Sequence, residues 1–244
     1  MTAARARVTL TLVGALAVSL VLTACLPPLA PRTLPPTTIP TATPQRQYTG
    51  ITTVDGFSPQ QHTAVRIRVS DCSGWANGSG FILDEGTVIT NAHVIEDALW
   101  IQVTTYDGHD YTAVSSQIAP VADLGIIHLD PVFTDFVTLA DTPLEYGDEV
   151  QVVGYPEGQA LTVEEGTYVG TEADTVGSTG EDVQSFRAYT LPGNSGSPIF
   201  DADGKVVSVL YASDSVSWSA GWDITWLNEL IANPQLWQAN TATC

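Results

Sequence analysis

From residue 48 onward the chain alternates apolar and polar positions in short runs with a period of two. In "TAVRIRV", Val65, Ile67 and Val69 alternate with Arg66 and Arg68. That pattern predicts a strand with one face buried and its arginines turned outward. "SGFIL" and "TVIT" flank Asp84-Glu85-Gly86 as the arms of a hairpin do. Further strand-like runs follow at "LWIQVTTY", "LGIIHL", "EVQVVGY", "TYVG", "SPIF" and "KVVSVLYA", mostly separated by Gly, Asp or Pro. Short strands with frequent turn signals predict a sandwich or barrel instead of βαβ units. One segment carries a helical period: Ile224, Leu227, Leu230 and Ile231 fall on one face, Asp223 can cap the start and Pro234 limits the end. The expected architecture is an all-β body closed by a C-terminal helix.

The first 47 residues follow a different pattern. Arg5 and Arg7 precede an uncharged apolar run from Val8 to Leu22, short for a membrane span, which needs about 20 apolar residues. The run ends in "LTAC", which looks like a bacterial lipobox, the signal at which Cys25 is diacylated and residues 1–24 are removed. An ordinary signal peptide with an incidental cysteine, or an uncleaved anchor, are the alternatives. Residues 25–47 are dense in Pro and Thr and lack acidic side chains, the composition of an extended, semi-rigid tether. Residues 48–244 are then the folded part, long enough for one two-layer all-β unit or a pair of small barrels. The expected location is the cell envelope, outside the cytoplasm and lipid-anchored to a bacterial membrane through Cys25.

Charge narrows the partners. The net charge is −19, and the four arginines before residue 48 leave Arg66, Arg68, Arg187 and Lys205 against 27 acidic side chains. Such a surface repels phosphates, which disfavours nucleic acid and anionic lipid headgroups as direct partners, and no nucleic acid partner is expected. Cys72 and Cys244 remain beyond Cys25. In an exported chain they suit one disulfide that fastens the last residue to the body, the alternative being two thiols. No metal-ligand spacing is present, and "DADG" at Asp201–Gly204 reads as a hairpin turn instead of half a calcium loop. Neither metal nor cofactor is expected.

The candidate chemistry lies in "YTLPGNSGSPIF", where Gly193, Asn194, Ser195 and Gly196 form a glycine-flanked turn before an apolar run. Such a turn is ordinary on its own. It becomes a nucleophile site if a base can take the serine proton and backbone N–H groups face the developing oxyanion. Among the four histidines, His62 sits near the start of the folded part, His109 in "DGHD" and His128 inside a strand pattern. His93 in "VITNAHVI" ends a strand and enters a short helical segment, a place suited to a fixed imidazole. Asp123 in "VADLGIIHL" stands at the mouth of an apolar strand, where a carboxylate needs hydrogen bonds.

"GSGFILDEGTVITNAHVI", "ADLGIIHL", "GDEVQVVGYPEG", "LPGNSGSPIF" and "DADGKVVSVLYAS" resemble, in that order, the chymotrypsin-like serine peptidases. The bacterial trypsin-like branch, with its HtrA-type and glutamyl-endopeptidase-type enzymes, is the nearest, and the resemblance spans about Thr63 to Trp237. It implies two antiparallel six-stranded barrels, with His93 as general base, Asp123 as its orienting acid and Ser195 as nucleophile. It also implies an oxyanion hole made by the N–H groups of Gly193 and Ser195, and an enzyme acting on protein or peptide substrates. The chain is expected to be a monomer. Tyr189, Thr190, Leu210, Tyr211 and Ala212 would line the specificity pocket. Basic-specific relatives carry an aspartate where Tyr189 stands, and glutamyl-specific ones a histidine where Leu210 stands, so an uncharged residue before the cut is expected. Asn194 cannot form the ion pair by which digestive relatives are activated. The PDZ domain of HtrA-type proteins is not expected. A catalytically inactive relative serving as a cell-surface binding module is the competing reading.

Overall fold

The computed structural model describes residues 53–177 and 180–242. The expected lipidation at Cys25, the signal, the tether and Cys244 lie outside the described residues.

The folded part opens with α1 (Pro59–Thr63), one turn begun by a reciprocal cap between Ser58 and Gln61 with proline at its start. Then come β1 (Ala64–Ser70), β2 (Trp75–Asp84), β3 (Thr87–Asn91), the four-residue α2 (Ala92–Ile95), β4 (Trp100–Thr104), β5 (Asp110–Thr112), β6 (Ser115–Ala119) and β7 (Leu124–His128). The second half contains β8 (Glu149–Gly154), β9 (Thr162–Ala173), β10 (Asp182–Ala188), β11 (Pro198–Phe200), β12 (Val206–Ser213), β13 (Trp218–Asp223), α3 (Ile224–Ala232) and β14 (Gln238–Ala239). The all-β body with its C-terminal helix is therefore as expected.

The two halves close differently. β8 to β13 form a closed six-stranded antiparallel barrel in the order β10-β13-β12-β11-β8-β9. The first half is an eight-stranded sheet, β14-β6-β7-β3-β2-β1-β4-β5, where six strands in a closed barrel were expected. β5 is three residues long, and the chain crosses from it to β6 in two steps. Ala113 N–H donates to Ile101 O at 3.0 Å and Val114 N–H to His128 O at 2.9 Å. That junction joins the β4 and β7 sides at one point instead of along a ladder, so the sheet curls without sealing. β14 adds the eighth strand by pairing Gln238 with Ile118 and Ala239 with Gln117.

Phe81, Ile89 and Leu124 of the first sheet share one apolar cluster with Val152, Ile199, Val209 and Trp222 of the barrel, so the core runs between the two halves. Val65, Ile67, Ile82, Val88, Ile95 and Ile127 form a second cluster inside the first sheet.

Two further sequence expectations fail, both for tertiary reasons. Arg66, expected outward, is 3% exposed, because the turn after β8 covers that face of β1. Ile231 is 43% exposed while Ile224, Leu227 and Leu230 of α3 are buried, so the helix buries a narrower stripe than its sequence allows.

Candidate active site

α2 is a single turn, and its residues divide by burial: Ala92, Val94 and Ile95 are buried, which leaves His93 as the outward one. Asp123 ends the 3₁₀ turn Pro120–Ala122 in the left-handed region, φ 43°, a conformation that aspartate tolerates better than most residues. The turn aims both ends of Asp123 at α2. Its carbonyl accepts from Ala92 N–H at 2.9 Å and from Asn91 Nδ2 at 3.1 Å. Its carboxylate takes His93 N–H on Oδ1 at 2.9 Å and meets His93 Nδ1 with Oδ2 at 2.7 Å. An ionised carboxylate only accepts, so Nδ1 donates to it, and in the neutral imidazole that arrangement leaves the lone pair on Nε2. The Asp123 side chain is 19% exposed and that of His93 46%, which leaves the base open to a substrate.

The turn carrying Ser195 is held from both halves of the fold. Gly193 and Gly196 adopt φ 96° and 87°, where only glycine is at ease. A Cβ on Gly196 would sit 2.2 Å from Ser79 O, and one on Gly193 would sit 2.5 Å from Glu157 N, so neither position has room for a side chain. Ser79 N–H donates to Ser195 O at 2.8 Å, and Ser79 Oγ donates to Gly193 O at 2.7 Å. From behind, Glu157 N–H donates to Pro192 O at 2.6 Å. The peptide unit is planar and trans, so a Pro192 carbonyl aimed at Glu157 turns the Gly193 N–H the opposite way. Among the described residues neither the Gly193 nor the Ser195 N–H donates to another backbone group. Two uncommitted N–H groups flanking a serine hydroxyl are what an oxyanion hole requires.

His93 and Asp123 line a cavity of about 420 Å³ with Ile118, Val176, Tyr211 and Trp222. Of the five expected pocket residues, Tyr211 alone is on this lining; its hydroxyl donates to Asp174, and burial first, then that bond, raises its pKa. Thr190 is buried, with its hydroxyl 2.8 Å from that of Ser219. Leu210 is a core residue whose backbone receives Gly196 N–H at 2.7 Å. Ala212 pairs with Ala220 in the barrel, and the Tyr189 side chain is half exposed. No hydrogen bond joins the Ser195 hydroxyl to His93 among the described residues; such bonds often tighten only when substrate binds. Cys72 lies in the turn after β1, and the expected pairing with Cys244 falls outside the described residues. Asp201 accepts from the N–H groups of Asp203 and Lys205, a turn in the manner expected for "DADG".

Ser79, absent from the residues expected at the site, holds the nucleophile turn. Besides its two bonds to the nucleophile turn, its hydroxyl accepts from Tyr155 N–H at 2.9 Å and its carbonyl from Thr90 Oγ1 at 2.7 Å. The available signal is "GSG" inside an apolar strand, since glycines there mark close approach of another backbone.

The model of the trypsin-like peptidase domain matches residues 78–209, more than half of the chain, and that span contains His93, Asp123 and Ser195. The chain belongs to the trypsin-like peptidase family. It is 36% identical over 167 residues to a protein of Chlamydia muridarum named as a DegP-like periplasmic serine endoprotease, a match covering 67% of this chain and 31% of that one. The chain thus spans about a third of the length of such relatives. Among solved structures it resembles the HtrA-type protease AlgW with tripeptide, at TM-score 0.65 and 26% identity, covering 70% of this chain and 60% of that one. A protease from M. tuberculosis in its active form superposes with TM-score 0.64 at 24% identity, covering 76% and 85% of the two chains, and supports the fold.

Proposed function

We propose that this chain is an exported serine endopeptidase, tethered to a membrane through a lipidated Cys25, that cleaves peptide bonds by way of an acyl-enzyme. The observation that carries the reading is the His93–Asp123 pair, 2.7 Å apart, in the same fold as a glycine turn whose peptide at Pro192–Gly193 is bonded from behind. Ser195 Oγ attacks the scissile carbonyl as its proton passes to His93 Nε2. Asp123 stabilises the imidazolium, and the Gly193 and Ser195 N–H groups receive the oxyanion. The imidazolium then protonates the leaving amine, and water releases the acyl group by the same steps. A position outside the cytoplasm agrees with the relatives named as periplasmic and with the apolar start of the chain. Thr190, with no charged group among its hydrogen-bond partners, supports preference for an uncharged residue before the cut. A disulfide between Cys72 and Cys244 belongs to the same reading.

Cleavage of a peptide library by the purified protein, compared with Ser195→Ala, tests the proposal. Hydrolysis that Ser195→Ala abolishes, with uncharged residues before the cut, is the expected result. A folded protein that cuts nothing would favour the inactive binding module, and undiminished cleavage by Ser195→Ala would remove Ser195 from the chemistry.

A further inference from the structure

The Pro156–Gly158 turn that supports the oxyanion loop is itself held, and the group that holds it is a buried cation. Arg66, in the middle of β1, donates from Nη1 to Gly158 O at 3.2 Å. Its Nη2 makes a long 3.5 Å contact with Thr104 Oγ1, and the Thr104 hydroxyl donates to Asp110 at 2.6 Å. Among the described residues no carboxylate lies within ion-pair distance of Arg66, and its Nε has no partner. Burying a guanidinium without a direct counter-charge is costly, and a methionine of similar length would fill the same space in β1 without that cost. Stability of the first sheet therefore does not account for an arginine here.

The turn it touches is under strain. Glu157 stands at φ 55° and Gly158 at φ 67°, and left-handed backbone at a non-glycine residue persists only where its surroundings hold it. Glu157 supplies the N–H that donates to the Pro192 carbonyl, and that bond sets the direction of the Gly193 N–H. The contacts form one series: Arg66 to Gly158 O, through the strained turn to Glu157 N–H, to Pro192 O, to the peptide of Gly193.

We infer that Arg66 is a positioning residue for the proposed hydrolysis, a strut from the first sheet that keeps the Gly193 N–H turned toward the oxyanion. The inference rests on the peptidase reading of the site, but its geometric part can be tested apart from activity. In Arg66→Met, kcat should fall by about 10- to 100-fold, somewhat less than when an oxyanion donor is removed outright. KM should stay within about twofold, since substrate contacts are untouched. Arg66→Lys, which keeps the charge and loses the fork, should fall between Arg66→Met and wild type, and it carries the test if Arg66→Met does not fold. Hydrogen exchange supplies the readout independent of catalysis. The Glu157 amide should exchange about tenfold or more faster in the variant, with the β8 and β12 amides unchanged. Unaltered kcat and Glu157 exchange in a folded variant would overturn the inference, and so would faster exchange spread evenly over both halves, the mark of a merely structural residue. Wild-type protein that cuts no peptide while Glu157 alone is loosened would instead overturn the peptidase reading and leave the strut standing.

Discussion

The two halves of the candidate site are built in opposite ways. His93 and Asp123 are fixed by their own neighbourhoods: a one-turn helix leaves the imidazole outward, and a left-handed aspartate spends carbonyl and carboxylate together on the start of that helix. The nucleophile turn has bonds of its own, Asn194 N–H to Leu191 O and Gly196 N–H to Leu210 O, but it also depends on Ser79 of the opposite sheet and on Glu157 of the turn after β8. A pair held by local geometry survives small shifts between the halves. A turn held by the partner half reports those shifts, so the oxyanion side is the part of the site that should loosen first.

Breaking the local pair has the largest expected effect. His93→Ala should lower kcat/KM by about four to six orders of magnitude, the scale of losing a triad member, with a melting temperature close to that of wild type; steady-state hydrolysis and a thermal melt read both.

Ser79→Ala attacks the other side. It removes the hydroxyl shared by Gly193 O and Tyr155 N–H and leaves both short of a partner, which costs about 1–3 kcal/mol of stability. Because the same hydroxyl orients the oxyanion turn, kcat should drop by about 10- to 100-fold. Stability lost without loss of kcat would show that the turn holds itself, and the contrast between the two halves would fail.

The smallest effect on the site should come from Asp55, in the turn before α1, where it accepts from the Tyr106 hydroxyl. The Thr53 hydroxyl, then the Phe57 N–H, with His62 and Tyr106 adding, hold its carboxyl well below the usual range. A depressed carboxylate contributes stability above its unfolded pKa of about 3.9 and loses it as pH falls through the folded value. Asp55→Asn should therefore flatten the acid limb of the stability curve below about pH 4 while leaving neutral-pH kcat unchanged. An acid limb identical to wild type would show that this carboxylate does not matter to folding.

The same contrast explains what could be read from the sequence. His93 and Asp123 were legible because a strand end before "NAHVI" and a polar residue before "LGIIHL" are local signals. Ser195 was legible because glycines on both sides of a serine mark a special turn. Ser79 and Arg66 were not, since their roles exist only once the halves meet. Alternation placed Arg66 outward correctly with respect to β1, but the outer face of β1 is covered by the turn after β8. α1 has a capping signal, Ser58 followed by Gln61 with Pro59 between, but a single turn carries no apolar period to go with it. β6 of the first sheet and β10 and β13 of the barrel mix Ser, Gln and Trp with small residues, so the hydrogen bonds to their neighbouring strands, and not their own periodicity, make them strands.

The central claim is that Ser195, activated by His93, stands at a working oxyanion site, and covalent labelling tests it most directly. Wild-type protein treated with a fluorophosphonate should gain one adduct per molecule, mapped by peptide mass to Ser195, and the labelling should be lost in Ser195→Ala and slowed by orders of magnitude in His93→Ala. A folded wild-type protein that takes up no label, or carries it on another residue, would contradict the account.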